Sequence, residues 1–106
     1  MKTVKLNDDL AFDLLELSDK WMFKSLKEKC EKFLSKNLSI ENIVDALIIG
    51  DRLELATLNK AATKFILKNI GKLKEKGTLS NLPSRIFINI IELLGKKNRI
   101  NLLLYI

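Results

Sequence analysis

Apolar residues recur along most of the chain at spacings of three and four, the period of a helix with one buried face. Leu10, Leu14 and Leu17 follow Asn7, Asp8 and Asp9, which supply an N-cap and first-turn acids, so a first helix is expected from there to about Asp19. Phe23, Leu26, Cys30, Phe33 and Leu34 form the apolar stripe of a second helix in a segment otherwise rich in Lys and Glu. Asn37 suits a left-handed C-terminal cap, and Leu38 the apolar contact that follows one. Ser39 can cap a third helix by accepting from the backbone near Glu41 or Asn42. That helix is expected over Ile40 to Ile49, apolar at Ile40, Ile43, Val44, Leu47 and Ile48, with Gly50 and Asp51 breaking it. A fourth carries Leu55, Leu58, Ala62, Phe65, Ile66 and Ile70, and Gly71 and Gly77 leave its far end open. Pro83 suits the first turn of a fifth, with Ser80 or Asn81 as caps, Ile86, Ile90, Leu93 and Leu94 as its core face and Gly95 as its end. Thr3 to Leu6 suits a short strand, and the apolar run Ile100 to Ile106 a strand or helix turn that needs cover. The expected fold class is all-α, about five helices in hairpins, with at most that one N-terminal strand.

The pattern repeats. A shift of 32 residues lays 14–37 on 46–69, matching Leu15 with Leu47, Asp19 with Asp51, Leu26 with Leu58, Lys32 with Lys64, Phe33 with Phe65, Lys36 with Lys68 and Asn37 with Asn69. The repeated unit is an apolar helix, an Asp-basic break and an amphipathic helix that ends in an aromatic and an Asn cap. Two such hairpins can bury each other's apolar faces.

Composition narrows the chemistry. At 106 residues, 47% hydrophobic, the chain suits one domain that buries roughly two-thirds of its unfolded surface. One cysteine excludes an internal disulfide framework, and with no His a Cys/His zinc site cannot be assembled. No nucleotide-binding glycine motif or phosphate-binding Gly-Lys-Ser/Thr occurs, and no catalysis, cofactor or metal is expected. No apolar run is long enough to span a membrane, and the N-terminus has no signal-peptide core. A reducing compartment, cytoplasm or nucleus, is expected.

The net charge of +6 is unevenly placed: residues 1–53 carry nine basic against ten acidic residues, and 54–106 ten against three. Lys60, Lys64, Lys68, Lys72 and Lys76 stand four apart and form a basic ridge. Such a ridge could follow phosphates or an acidic partner, but no aromatic is interleaved to stack bases, which argues for a solvated face and against nucleic acid. Lys, Asn and Ile make up 37 of the 106 residues, the imprint of an AT-rich genome that inflates lysine. Cys30, on an apolar stripe, is expected to be a buried, inert thiol. Trp21 is expected to pack in the core, because its repeat counterpart is Leu53. The acidic pairs Asp8 with Asp9 and Glu28 with Glu31 read as helix-end and salt-bridge groups.

Segment 14–69 resembles the C-terminal half of the BTB/POZ domain and the helix pair that follows it, in particular the speckle-type POZ proteins. The resemblance rests on LLELSDKWMFKSLKEKCEKFL, then NLSIEN, then DALIIGDRLELATL, which are similar to that family's leucine-rich helix, Asp-Lys-Tyr turn, Leu-Lys-x-x-Cys-Glu helix and Ile-Leu-Ala-Asp break. Ser18, Trp21 and Gly50 stand where the family has Ala, Tyr and Ala. TLSNLPSRIFINIIELL, 78–94, looks like an early helix of the BACK domain. The resemblance implies a BTB part over 1–38, a 3-box-like helix pair over 39–70 and the start of a BACK-like region over 71–106. It also implies a substrate adaptor that holds the N-terminal domain of a cullin in a ubiquitin ligase. The chain would then begin at the last BTB strand, without the dimerisation helix and the main cullin-contact loop.

The expected function is therefore a non-enzymatic interaction module. Its partner-contact residues are expected at Ile40, Glu41, Val44, Arg52, Leu53 and Leu55, and self-association is open to it. The alternative is a basic helical module that binds nucleic acid or an acidic partner through Lys60, Lys64, Lys68 and Lys72.

Overall fold

The computed structural model describes residues 6–93. Six α-helices follow one another: α1 Asp8–Lys20, α2 Lys24–Lys36, α3 Ile43–Arg52, α4 Ala56–Lys68, α5 Ile70–Glu75 and α6 Ser84–Leu93, with a 3₁₀ turn at Leu79–Asn81. The described residues contain no strand, so the fold is all-α as the periodicity implies. The expected strand at Thr3 to Leu6, the core positions of Leu93 and Leu94, the stop at Gly95 and the apolar run Ile100 to Ile106 lie outside what is described.

The helices pair as α1–α2 and α3–α4, and the 32-residue shift survives at the level of backbone dihedrals. α2 maps onto α4 end for end. The corner after α1, Trp21 at φ −98°, Met22 at φ 59° and Phe23 at φ −86°, is reproduced after α3 by Leu53 at −94°, Glu54 at 56° and Leu55 at −87°. Both corners close with the same pair of bonds. Phe23 N donates to Ser18 O and Met22 N to Asp19 O, as Leu55 N does to Gly50 O and Glu54 N to Asp51 O. This is the Schellman arrangement, in which a left-handed residue lets two otherwise unpaired carbonyls at the helix end accept bonds. Gly77, at φ 66°, repeats it after α5.

Burial falls into two clusters. Ala11 and Leu15 of α1 and Cys30 and Leu34 of α2 meet Ala46, Ile49, Leu55 and Leu58 of the second hairpin. Ile43 and Leu47 of α3 and Ala62 and Ile66 of α4 meet Leu73, Ile86 and Ile90. Leu38 packs against both. Leu15, Leu34, Ile43, Leu58, Ile66 and Leu73 are the large side chains with essentially no exposure, each contributing roughly 1.5–3 kcal/mol. α1 and α3 lie on one side, tied by Asn42 Nδ2 to Asp8 Oδ2 at 3.0 Å and by Arg52 to Glu16, while α2 and α4 contact each other on the other side.

Local expectations hold where the signal is local. Asn7 caps α1 by accepting from Leu10 N at 2.9 Å. Ser39 Oγ accepts from Asn42 N at 3.2 Å, and Asn42 Oδ1 accepts from Ser39 N at 2.8 Å. This reciprocal box takes up a turn of chain, so α3 starts at Ile43 rather than Ile40.

Other expectations are corrected. α3 runs through Gly50 and Asp51, and the chain reverses at Leu53 and Glu54. Gly50 serves packing instead: a Cβ there would run into Oδ1 of Asn59, whose Nδ2 donates to Gly50 O at 3.1 Å. α1 buries Ala11, Leu15 and Ser18, not Leu10, Leu14 and Leu17; small residues at 11 and 18 let neighbouring helices approach, and Leu17 is left half exposed. Asn37 is not left-handed (φ −122°, ψ 31°); its Nδ2 donates to Phe33 O at 2.7 Å, as that of Asn69 does to Phe65 O at 2.9 Å. The fourth helix stops at Lys68, and α5 follows as a separate short helix. Neither Ser80 nor Asn81 stands at the start of α6: Pro83 does, its carbonyl accepting from Phe87 N at 3.0 Å.

Candidate functional site

α3 has one exposed stripe. Glu41, just before it, then Asp45, Ile48 and Arg52 are all exposed, at steps of four, three and four, so one side of the helix carries them. Ile40 and Val44 flank the stripe, half buried against the second core cluster. The stripe is held firmly at both ends. At its start Asn42 is buried with its amide fully used, accepting from Ser39 N and donating to Asp8 Oδ2 and Asn37 O. At its far end Arg52 grips Glu16 of α1 with both guanidinium nitrogens, Nη1 to Oε2 at 3.1 Å and Nη2 to Oε1. That pairing holds the Arg52 guanidinium above its already high ordinary pKa, so it stays a fixed cation.

The expected contact residues are spread over this element. Ile40, Glu41 and Val44 stand at its start. Arg52 and Leu53 stand at its end, about 12 Å further along for the eight-residue step from Val44 to Arg52. Leu53 is half buried in the inter-hairpin cluster. Leu55 is 4% exposed and packs in the same cluster, so it faces the core and supports the corner from within. Asp45 and Ile48 complete the exposed stripe and lie outside the six expected contact residues. The sequence signal for Ile48 was its place four after Val44, which periodicity counted toward the core.

On the opposite side α4 exposes Lys60, Lys64 and Lys68, and α5 exposes Lys72. None of the four has an ion-pair partner among the described residues. The ridge is divided at Asn69, where the helix is interrupted.

The chemistry of reaction sites is weakly represented. Cys30 is buried; burial pushes its thiol above the ordinary range, and the charge of Lys29 only partly offsets this. That direction is opposite to what a thiolate nucleophile needs. A cleft of about 470 Å³ between α3, α4 and α6 is lined by Leu47, Asp51, Asn59, Thr63, Ile86, Asn89, Ile90 and Glu92. Its polar groups serve packing: Asp51 accepts from Asn89 at 3.2 Å and pairs with Arg85 at 3.3 Å, and Thr63 Oγ1 donates to Asn59 O at 2.9 Å. Among the described residues no helix is long and apolar enough to cross a membrane.

Trp21 departs from the sequence expectation. It is 63% exposed, with Lys20 Nζ 5.8 Å from its ring centre. Leu53, its counterpart, is covered because the first hairpin stands beside the second corner; nothing described stands beside the first.

No family model matches the chain, and no solved structure matches it. Among curated proteins it is 44% identical over 59 residues to protein maternal effect lethal 26 of Caenorhabditis elegans, a match covering 56% of this chain and 15% of that protein. It is 34% identical over 80 residues to Kelch-like protein 21 of Bos taurus, covering 76% and 13%. It is 28% identical over 89 residues to Kelch repeat and BTB domain-containing protein 4 of Homo sapiens, covering 84% and 17%. The chain is thus similar to part of proteins of the BTB class and spans less than a fifth of the length of these relatives.

Proposed function

We propose that the chain is a non-enzymatic protein-interaction module that acts as a BTB-type adaptor segment and docks the N-terminal domain of a cullin on the outer face of α3. In this reading residues 1–38 are the C-terminal part of a BTB domain, 39–70 a 3-box-like helix pair and 71–106 the start of a BACK-like region. The observation that carries it is the exposed stripe of Glu41, Asp45, Ile48 and Arg52, flanked by Ile40 and Val44, on a helix fixed at both ends. A recognition surface needs side chains presented without reorganisation, and rigid presentation lowers the cost of binding. Similarity to BTB proteins over most of the chain supports the same reading, with action in the cytoplasm or nucleus as a component of a ubiquitin ligase.

The test is capture of a purified cullin N-terminal domain by the full chain. Glu41→Lys and Ile48→Glu, both at exposed positions, are expected to weaken capture at least about tenfold, the loss of one well-placed contact, with no loss of helicity by circular dichroism. Failure to bind both by the chain alone and by the chain extended with the N-terminal half of a BTB domain would overturn the proposal.

A further inference from the structure

The 32-residue shift duplicates charge as well as apolar positions. It carries Asp9 and Asp13 onto Glu41 and Asp45, and Lys32 and Lys36 onto Lys64 and Lys68. All eight are exposed, and none is in an ion pair among the described residues. The other acids of α1 and α3 are engaged: Asp8 accepts from Asn42 and Glu16 from Arg52, Asp19 pairs with Lys27 and Asp51 with Arg85. Each of the four pairs stands four residues apart, a helical step of about 6 Å, with Glu41 in the turn that opens α3.

The two sets face apart. The acid pairs stand on the α1–α3 side and the lysine pairs on the α2–α4 side. The hairpins repeat helix for helix and corner for corner, so the step that carries one acid pair onto the other also carries one lysine pair onto the other. A block of four acids and a block of four lysines are thus laid out by one operation on opposite faces of one molecule. The chain outside the described residues does not neutralise the lysine block: residues 1–5 and 94–106 hold Lys2, Lys5, Lys96, Lys97 and Arg99 and no acidic side chain. A foreign polyanion accounts for the lysine block alone, whereas a second copy of the chain accounts for both blocks.

We infer that the chain associates head to tail with second copies of itself, the α1–α3 acid block of one copy seated on the α2–α4 lysine block of the next. Such a contact is heterologous: it joins different patches on the two partners and leaves a free acid block at one end and a free lysine block at the other, so the assembly can grow. Exposed ion pairs are individually weak and salt-screened, which makes the association dependent on concentration and reversible by salt. The copies share a net charge of +6, but at about 0.1 M salt the screening length is about 10 Å, so repulsion between whole molecules is damped while charges in contact still attract. Glu41 and Asp45 also belong to the α3 stripe, but the inference rests on the charge pattern and not on the adaptor reading.

Sedimentation equilibrium of the full chain reads the association. The weight-average mass is expected to rise with protein concentration at about 0.1 M salt and to return to that of the monomer at about 1 M, where the screening length falls to about 3 Å. Asp13→Lys with Asp45→Lys neutralises the acid block, and Lys32→Glu with Lys64→Glu the lysine block. Each double variant, at unchanged circular dichroism, is expected to self-associate at least about tenfold more weakly, because attractive pairs become repulsive. Mixed in equal amounts, the two variants still offer one intact block each and are expected to form a one-to-one heterodimer that grows no further. A full chain that stays monomeric at millimolar concentration in the lower salt would overturn the inference. So would association that persists in the higher salt, or a mixture of the variants that stays monomeric while the unmodified chain associates. A monomeric chain that binds polyglutamate, and loses that binding with Lys32→Glu and Lys64→Glu, would assign the lysine block to a foreign acidic partner instead.

Discussion

Met22 and Glu54 hold φ of 59° and 56°, a region that costs a residue with a Cβ about 1 kcal/mol and costs glycine almost nothing. Both are exposed, so their side chains give little back. Met22→Gly and Glu54→Gly are each expected to raise stability by up to about 1 kcal/mol, read as a higher midpoint in urea unfolding at unchanged slope. The absence of glycine at these corners is also why the breaks were misread: Gly50 and Asp51 drew the end of α3 three residues early. Caps were legible at Asn7 and Ser39, because their bonds reach only three residues along the chain. The exposure of Trp21 was not, because it depends on whether another hairpin stands beside the corner.

Cys30 gives a pH-dependent prediction at the same scale. Its thiol is raised by burial in the folded chain, so the unfolded chain loses the proton first. Stability is then full well below about pH 8.5, where a free thiol is half ionised, and declines as pH rises through that value toward the folded one. Cys30→Ala, which installs the residue of the matching position Ala62, is expected to cost about 1 kcal/mol at pH 7 and to flatten the alkaline decline attributable to the thiol. Urea midpoints between pH 7 and 10 check both.

The helices join through contacts that no single-helix pattern reveals. The Glu31 side chain serves α4, a link across 27 residues that its place in a Lys/Glu-rich segment concealed. Gly50 and Asn59 form another. Gly50→Ala gains up to about 1 kcal/mol of helix propensity, but the new Cβ meets Asn59 Oδ1, and overpacking costs about 1–3 kcal/mol. The net expectation is a loss of up to about 2 kcal/mol. Gly50→Ala combined with Asn59→Ala should lose less than the sum of the two single changes, because the clash disappears while the propensity gain stays. Additive losses in thermal unfolding would show that the two side chains do not meet. The periodicity did establish which segments are helical, since α2, α4 and α6 bury part of the stripe it picks out, at Cys30 and Leu34, Leu58, Ala62 and Ile66, and Ile86 and Ile90, although Phe23, counted in the α2 stripe, stands before that helix and is 60% exposed. It placed α1 on the wrong face because Leu10, Leu14 and Leu17 share their spacing with Ala11, Leu15 and Ser18. Small size at a close helix contact decided between the two sets.

Taken whole, the molecule is two matched hairpins sharing one core cluster, with α5 and α6 closing a second. Acidic residues gather on the α1–α3 side, with Asp9, Asp13, Glu16, Glu41 and Asp45 exposed, while lysines dominate α2 and α4. The internal repeat made the hairpins legible, and with them the resemblance to BTB proteins that the comparisons support. The location of an open surface was less legible: the six residues chosen from sequence lie along α3 and its following corner, and one of them, Leu55, is in the core. The most direct test of the proposed function is hydrogen–deuterium exchange of the full chain with and without a cullin N-terminal domain. Added protection is expected to concentrate at residues 40–53, along α3 and its corner, with the lysine-bearing face of α4 unchanged. Protection confined to α4 and α5, or none at saturating cullin, would contradict it.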